Sequence, residues 1–367
     1  MEKKYIWLYL ALVSISSICI AETIPFSDDA WEFSGKELRV EKVGGQEALF
    51  VKNGRAMLKD VVFQNGTLEF DILNDGSRGF SGVYWHMSDP GNGENFYVRP
   101  HQTGNEDANQ YQPIFNGIGA WQMYFGPSYS TPITYKVNEW IHIKIVVSGN
   151  RADVYIDSDE PVLHIGELKH QNVMGAIGIG SGFAPSYFAN FAYKKEDKPD
   201  LVGSSVEMKL SPQGLITSWQ ISEAFAETEL TGNTLPDLPV AKGQWNKLDV
   251  EDWGFANLSR IQAKTDSSNT VLAKIMLNAE KAIIKSIKFG YSDRVKVYLN
   301  GRPLYTGNNG YMTRDYRYLG TIGLFDELSL NLRKGENELI FAVSESFGGW
   351  GIMAAMENRE GVVIGDQ

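Results

Sequence analysis

Short runs of alternating apolar and polar residues follow one another along most of the chain. Alternation over about four to eight residues is typical of strands with one buried face. The clearest runs are residues 67–72, 82–87, 141–147, 152–156 and 295–299. Clusters of Gly, Asn, Asp and Pro separate these runs, and long helical periodicity is missing. The pattern predicts an all-β protein.

Asn-Gly pairs mark candidate turns between the predicted strands, because both residue types tolerate positive φ. These pairs occupy positions 53–54, 65–66, 116–117 and 300–301. The strongest signal is Asn300-Gly301 in VKVYLNGRPLYTG, which predicts a hairpin with a type I′ turn.

A change of composition near the middle of the chain indicates two domains. A charged, Pro-containing stretch at 194–199 precedes Gly203-Ser204-Ser205. We therefore predict two antiparallel β-sandwich (jelly-roll) domains, with a linker between them. The predicted bounds are 22–197 for the first domain, 198–206 for the linker and 207–367 for the second domain.

The N-terminus is typical of a secretory signal peptide. A short basic start precedes an apolar run, and Cys19-Ile20-Ala21 resembles a small-x-Ala cleavage site. Cleavage after Ala21 predicts a protein that is secreted or periplasmic in a bacterium and has no membrane attachment. A retained anchor is the alternative.

Composition narrows the classes of function. The chain has 367 residues, a formal net charge of −11 and one Cys. An acidic balance does not support binding to a phosphate backbone, so nucleic acid is not an expected partner. A single Cys excludes a disulfide framework and Cys-based metal clusters.

The densest cluster of candidate functional residues lies between positions 79 and 125. Strand alternation predicts that Tyr84 and His86 share one face, and that Tyr97, Arg99 and His101 share another. Four further candidates follow, namely Gln102, Asn109, Tyr111 and Trp121. Aromatic rings beside Arg, His, Asn and Gln are typical of sugar-binding faces. The alternative interpretation is a plain surface or an internal polar network.

Several segments resemble known families. GTLEFDI, GFSGVYWHM, EWIHIKIVVSGNRADVYID and MGAIGIGSG make the first half similar to the concanavalin A-like lectin/glucanase superfamily, particularly its laminin G-like members. GLITSWQIS, VKVYLNGRPL and LRKGENELIFAV make the second half resemble the galactose-binding-like jelly rolls attached to many glycoside hydrolases. Both resemblances imply sandwich folds and a role connected with sugars.

The glucanase resemblance implies paired carboxylates on the strand with Glu69 and Asp71. Retaining hydrolysis needs a nucleophile and a separate acid/base. Leu73 and Asn74 stand where the second Glu would be, which favours a solvent-facing pair instead.

An elimination site is the other enzymatic alternative. His101 as base, Tyr97 or Tyr84 as acid, and Arg99 to neutralise a carboxylate supply the residue types of a polysaccharide lyase. The Arg-x-Glu-Leu-Arg strand and the Gln-x-His pair of jelly-roll lyases are missing.

No metal or cofactor is expected. His86 and His101 have no third ligand at regular spacing. Glu106-Asp107 lacks the spaced oxygen ligands of a calcium loop, so calcium binding is an alternative that no motif supports.

The aromatic and charged cluster of the second half is interpreted as mainly structural. We expect Trp350 to be buried rather than presented by the glycines of Gly348 to Gly351, and a structural ion pair of Glu345 with Arg314 or Arg317 is one interpretation of the charged residues.

The leading hypothesis is a secreted, non-catalytic carbohydrate-binding protein that acts on or alongside polysaccharide degradation. Its expected partner is a polysaccharide or oligosaccharide. The alternative is a polysaccharide lyase or glycoside hydrolase with its active site on the concave face of the first domain.

Overall fold

The computed structural model describes residues 23–171, 173–206, 211–231, 235 and 238–365. We call residues 23–206 the N-terminal half and residues 211–365 the C-terminal half. The predicted signal peptide lies outside the described residues. Helical structure in the described chain is limited to short 3-10 turns, whose bounds include Pro100–Gln102, Glu227–Thr231, Pro239–Lys242 and Leu258–Arg260.

The N-terminal half consists of twelve strands. They are β1 (Trp31–Val43), β2 (Gln46–Leu58), β3 (Gly66–Leu73), β4 (Gly79–Asp89), β5 (Asn92–Val98), β6 (Asn109–Phe115), β7 (Ile118–Gly119), β8 (Trp140–Ser148), β9 (Arg151–Ile156), β10 (Leu163–Ile165), β11 (Ala176–Phe183) and β12 (Ser186–Lys195). All are hydrogen-bonded into one antiparallel sheet in the order β10-β9-β8-β3-β12-β2-β11-β4-β5-β6-β7, with β1 paired to β2.

This long sheet curls so that distant strands share one core. β3 alternates buried and half-buried residues along its whole length, with Leu68, Phe70 and Ile72 turned inward. Trp85 of β4 and Phe96 of β5 belong to the same apolar cluster, although β4 and β5 lie far from β3 in the sheet. Burial of one face of each strand therefore produces the predicted sandwich.

The C-terminal half contains eleven strands. They are β13 (Ser218–Ser222), β14 (Trp245–Asp249), β15 (Ala256–Asn257), β16 (Thr270–Ala279), β17 (Ile283–Ser292), β18 (Arg294–Leu299), β19 (Arg302–Asn308), β20 (Asp326–Leu332), β21 (Gly335–Ser344), β22 (Gly351–Ala355) and β23 (Val362–Ile364).

Two antiparallel sheets enclose the core of this half. One has the order β14-β13-β16-β21-β18-β19, with β23 paired to β16, and the other has the order β15-β22-β17-β20. Trp219 packs edge-on against Phe341, and both share a cluster with Phe289 and Ile352. The prediction of an all-β fold with two antiparallel sandwiches is confirmed.

The predicted turns have different outcomes. Asn300 and Gly301 have φ of 52° and 78° between β18 and β19, as the type I′ hairpin requires. Asn53-Gly54 lies inside β2, so the turn predicted there is wrong. The β1–β2 hairpin turns at Gly44-Gly45 instead, where both φ angles are positive.

The two halves pack closely, although no strand of one half pairs with the other within the described ranges. Phe255, Ile322 and Met353 of the C-terminal half belong to the apolar cluster of the N-terminal half. The predicted linker also folds back, since Val202 and Gly203 donate backbone hydrogen bonds to buried Asp153. The exact domain bounds stay a prediction.

His170 gives the fold a testable response to acid. Its ring stacks on Phe115 at 4.0 Å, and Nε2 lies 2.7 Å from the carbonyl oxygen of Ile114. Burial lowers the pKa of this imidazole to about 4. The unfolded chain takes up the proton first, near about pH 6.5, so stability falls as pH drops from there through about 4, by about 2–3 kcal/mol.

The measurement compares urea unfolding of wild type and His170→Gln at about pH 7 and about pH 4.5. We expect the wild type to lose more stability than the variant on acidification. Equal losses would show that this histidine is not held neutral.

Candidate functional site

A cavity of about 540 Å³ lies between the two halves. This volume falls in the range of about 300–1,000 Å³ that is usual for small-molecule sites. β4, β5 and the turn Pro100–Gln102 form one side, and loops of the C-terminal half near positions 311–319 and 345–348 form the other.

Arg99 follows β5 and is the most tightly held cation of the cavity wall. Its Nη2 donates to the Tyr97 hydroxyl at 3.0 Å and to the Gln110 side-chain oxygen. Its Nη1 donates to the backbone carbonyl of Asp107 at 3.1 Å and to its carboxylate at 3.3 Å. Gln110 is fixed in turn, because its amide nitrogen donates to the Trp121 carbonyl at 2.8 Å. The guanidinium therefore has a defined position before any ligand binds.

His101 lies in the adjacent 3-10 turn, and its ring meets Phe80 edge-on at 5.4 Å. In the described part of the chain, its buried Nδ1 has no hydrogen-bond partner. Burial, together with the positive charges of Arg78 and Arg99, lowers the pKa of the imidazole. The ring is therefore neutral near pH 7 and able to accept a proton.

The remaining predicted residues on this cavity are Tyr84, Gln102 and Trp121. The Arg55 guanidinium covers the Tyr84 ring at 4.3 Å, and Gln102 accepts a hydrogen bond from Asn105 at 2.7 Å. The Trp121 ring lies 5.8 Å from the Arg99 guanidinium. The structure thus brings six predicted residues together, and their contact with a ligand stays a prediction.

Three of the predicted site residues, namely His86, Asn109 and Tyr111, do not line the cavity, and the prediction that His86 shares a face with Tyr84 is wrong. His86 is buried with a φ of 53°, and its Nε2 lies 2.7 Å from the Gln64 carbonyl oxygen. β4 is irregular between Trp85 and Asp89, which breaks the alternation that would place His86 beside Tyr84.

Asn109 and Tyr111 point into the protein interior from β6. Asn109 donates to the Thr131 carbonyl at 2.8 Å, and Tyr111 donates to the Glu94 carboxylate at 2.7 Å. Gln110 and Gln112 lie on the opposite face of the strand, where the first holds Arg99 and the second lines the cavity. Successive side chains of a strand point to opposite faces, so Asn109 and Tyr111 face the interior while Gln110 and Gln112 face the cavity side.

Sequence reasoning missed several residues of the cavity wall. They are Arg78, Phe80, Asn95, Phe183, Lys264 and Leu319. Arg78 donates to the Tyr311 hydroxyl at 3.3 Å across the two halves. No local pattern marks these positions, because the cavity arises from packing between distant segments.

The C-terminal half also contributes Glu345. This residue is buried, and its Oε1 accepts a backbone hydrogen bond from Gly349 at 3.2 Å. Burial and the nearby Asp293 carboxylate raise the pKa of Glu345 well above its usual value. The predicted ion pairs are wrong, since Arg314 pairs with Asp326 and Arg317 with Asp315. Trp350 is fully buried, as predicted.

Gln122 positions the loops that complete the cavity. Its amide nitrogen donates to the Leu319 carbonyl at 2.8 Å, and its side-chain oxygen accepts from the Ser292 hydroxyl at 2.9 Å. Its backbone N–H donates to the Gly348 carbonyl at 3.0 Å. Gly348 has φ of 107°, and a Cβ there would meet the Gln122 side chain at 2.4 Å. The two halves therefore fit together at a position that only glycine fills.

Glu69 and Asp71 lie away from the cavity. Asp71 accepts from Asn190 at 2.6 Å and lies 2.8 Å from Nδ1 of His142. Both carboxylates are half-buried on the outer face of β3, which agrees with a solvent-facing pair.

The described residues contain no group of three or more His, Cys, Asp or Glu side chains arranged for a metal ion. No helix in the same residues is long and apolar enough to cross a membrane.

Residues 27–195 match the family model of the 3-keto-alpha-glucoside-1,2-lyase-like domain. This match connects the N-terminal half with a carbohydrate-related family and supports its prediction as a concanavalin A-like sandwich. The galactose-binding-like assignment of the C-terminal half stays a prediction. No curated protein matches the chain.

Similar solved structures include three proteins of low sequence identity. Carbohydrate-binding module CBM66 from Bacillus subtilis is 16% identical to this chain, with a TM-score of 0.36. The match covers 47% of this chain and 100% of the chain of the module. A putative glycosyl hydrolase from Parabacteroides distasonis is 14% identical with a TM-score of 0.33, covering 46% and 89%. A Bacillus licheniformis beta-glucanase is 13% identical with a TM-score of 0.31, covering 48% and 96%.

Proposed function

We propose that the cavity between the halves binds a 3-keto-α-glucoside and catalyses its 1,2-elimination. The observation that carries this proposal is the His101 imidazole on the same cavity wall as Arg78 and Arg99, with no hydrogen-bond partner at its Nδ1 among the described residues. A neutral base beside fixed cations suits removal of a proton next to a carbonyl group. The family match of the N-terminal half supports the choice of substrate.

The chemistry is balanced without a redox step. The C3 ketone acidifies the C2–H bond, so a base takes the C2 proton and the electron pair moves onto the C3 oxygen as an enolate. The enolate electrons then form the C1–C2 double bond as the C1–O bond breaks. The products are an unsaturated keto sugar and an alcohol, whose oxygen takes up a proton from solvent or a cavity hydroxyl.

Four cavity residues have a defined part in this scheme. His101 accepts the C2 proton, and Arg99 and Arg78 stabilise the enolate oxygen. Tyr97 stays protonated because burial raises the pKa of its phenol, so its hydroxyl donates to Gln110 at 3.0 Å while its oxygen accepts from Arg99. Aromatic walls exclude water and contact the C–H faces of the sugar.

The test uses 4-nitrophenyl 3-keto-α-glucopyranoside with purified wild-type protein. We expect protein-dependent release of nitrophenol together with an ultraviolet-absorbing enone, above the rate in buffer alone. Saturable binding without turnover would overturn the elimination and leave saccharide binding. Absence of both would overturn the proposal as a whole.

Non-catalytic binding of a saccharide is the second candidate. The observation that favours it is the mixed lining of the cavity, where Trp121 and Tyr84 lie beside Arg99 and Gln102. Isothermal titration with neutral and acidic oligosaccharides tests it, and heat of binding without new reducing ends or enone would establish it.

We also propose that the chain is exported, with cleavage after Ala21, and that it acts without a metal or cofactor. The N-terminal pattern supports export. Mass spectrometry of the mature protein from a bacterial host tests the cleavage site, and activity after chelator treatment tests the second point.

A further inference from the structure

The C-terminal half has no assigned part in the family match, yet it forms one wall of the cavity. Tyr311 and Phe347 of this half meet Trp121 of the N-terminal half in a cluster of three rings. The ring centroids of Trp121 and Phe347 are 5.8 Å apart, and both lie 6.4 Å from Tyr311. The interplanar angles are 60°, 74° and 83°, so the rings stand edge to face and form a corner.

This aromatic corner is open to solvent. Phe347 is 51% exposed although it belongs to a packed junction between the halves. Its backbone N–H donates to the Asp293 carboxylate at 3.1 Å. This hydrogen bond fixes the backbone from which the exposed ring projects. Burial of apolar surface is favourable, so a ligand that covers this large exposed ring on the cavity wall binds more tightly.

Two aromatic side chains of the C-terminal half line the cavity together with Arg99 and His101 of the N-terminal half. Arg99 and His101 come from the end of β5 and the turn after it, whereas Tyr311 and Phe347 come from the opposite half. Trp121 lies between them, because its ring contacts both the Arg99 guanidinium and Phe347. A ligand held at Arg99 and His101 that is longer than one sugar ring reaches the Tyr311 and Phe347 rings across Trp121.

We propose that Tyr311 and Phe347 form a subsite for a second ring joined to C1 of the bound sugar. This inference rests on the proposed function. It makes the C-terminal half a determinant of specificity, selecting glycosides whose C1 substituent has an apolar ring face. An aryl group and a second pyranose share that feature, since both present a flat C–H or π surface to aromatic side chains.

The experiment measures kcat/KM for three probes with wild type and two variants. The probes are the methyl, the 4-nitrophenyl and the α,α-1,1-linked glucosyl derivatives of 3-keto-α-glucose. The test variant is Phe347→Ala, and the matched control is Phe325→Ala, whose ring is also 51% exposed on the same half but does not line the cavity.

We expect Phe347→Ala to lower kcat/KM about 10-fold or more for one or both ring-bearing probes, with a change below about 3-fold for the methyl probe. A loss confined to the nitrophenyl probe identifies an aryl subsite, and a loss confined to the disaccharide identifies a sugar subsite. Phe347→Tyr should retain the wild-type ratio, because it keeps the ring.

Equal losses for all three probes, or equal effects of the control variant, would overturn the subsite while the proposed function stands. If wild type turns over none of the probes, the proposed function fails and the subsite fails with it.

Discussion

Replacement of Lys169 by methionine is expected to lower the free energy of unfolding by about 3–5 kcal/mol. The Lys169 side chain is only 3% exposed, and its ammonium contacts the Asp252 carboxylate at 2.6 Å and the Glu167 carboxylate at 2.8 Å. Burial disfavours the charged ammonium, but these carboxylates more than offset it, so the pKa of Lys169 lies above its usual value.

The loss is large because the partner in the other half would stay buried. Asp252 is 2% exposed at its side chain and, among the side chains that the structure describes, would keep only the Tyr129 hydroxyl, which donates at 2.6 Å. A buried carboxylate without its partner lowers the free energy of unfolding by more than the intact ion pair raises it. The double variant Lys169→Met/Asp252→Asn should therefore recover part of the lost stability.

Urea unfolding by tryptophan fluorescence measures the effect, with Lys136→Met as the matched control. Lys136 pairs with Glu139 at 3.4 Å, but their side chains are 71% and 61% exposed, so we expect a change below about 1 kcal/mol. If Lys169→Met and Lys136→Met lower the free energy of unfolding by similar amounts, the pair of Lys169 and Asp252 is not buried in solution.

His101→Asn is expected to lower kcat on the 4-nitrophenyl 3-keto-glucoside by about 10²–10⁴-fold, with a smaller change in KM. The imidazole is the group proposed to accept the C2 proton, and asparagine keeps a polar side chain without a base. Because the pKa of His101 is lowered by burial and by Arg78 and Arg99, the wild-type rate should stay constant from about pH 8 to below about pH 6.5.

The matched control is His142→Asn. His142 is 52% exposed, contacts Asp71 and does not line the cavity, so its replacement should leave kcat unchanged. A His101→Asn protein with wild-type kcat, or an acid limb of the pH profile above about pH 7, would assign the base to another group.

The sequence predicted the strands well wherever one face is buried. The alternation of 67–72 corresponds to β3, and Asn300-Gly301 turns as its residue types require. It predicted the site less well, because alternation extends only while the strand stays regular. At His86 the irregularity of β4 turns the ring into the core, and on β6 the side chains that approach the cavity are the neighbours of Asn109 and Tyr111.

By itself, the sequence determined the all-β class, the two sandwiches and the local neighbourhood of Arg99 and His101, because strand period, turn chemistry and burial act over a few residues. Only the tertiary structure decided that these side chains face Tyr311, Glu345 and Phe347 across a shared cavity. It also decided that Lys169 meets Asp252 in the interface. Contacts between residues so distant in the sequence depend on how the folded surfaces of the two halves pack together. The periodicity along a single strand does not encode such contacts.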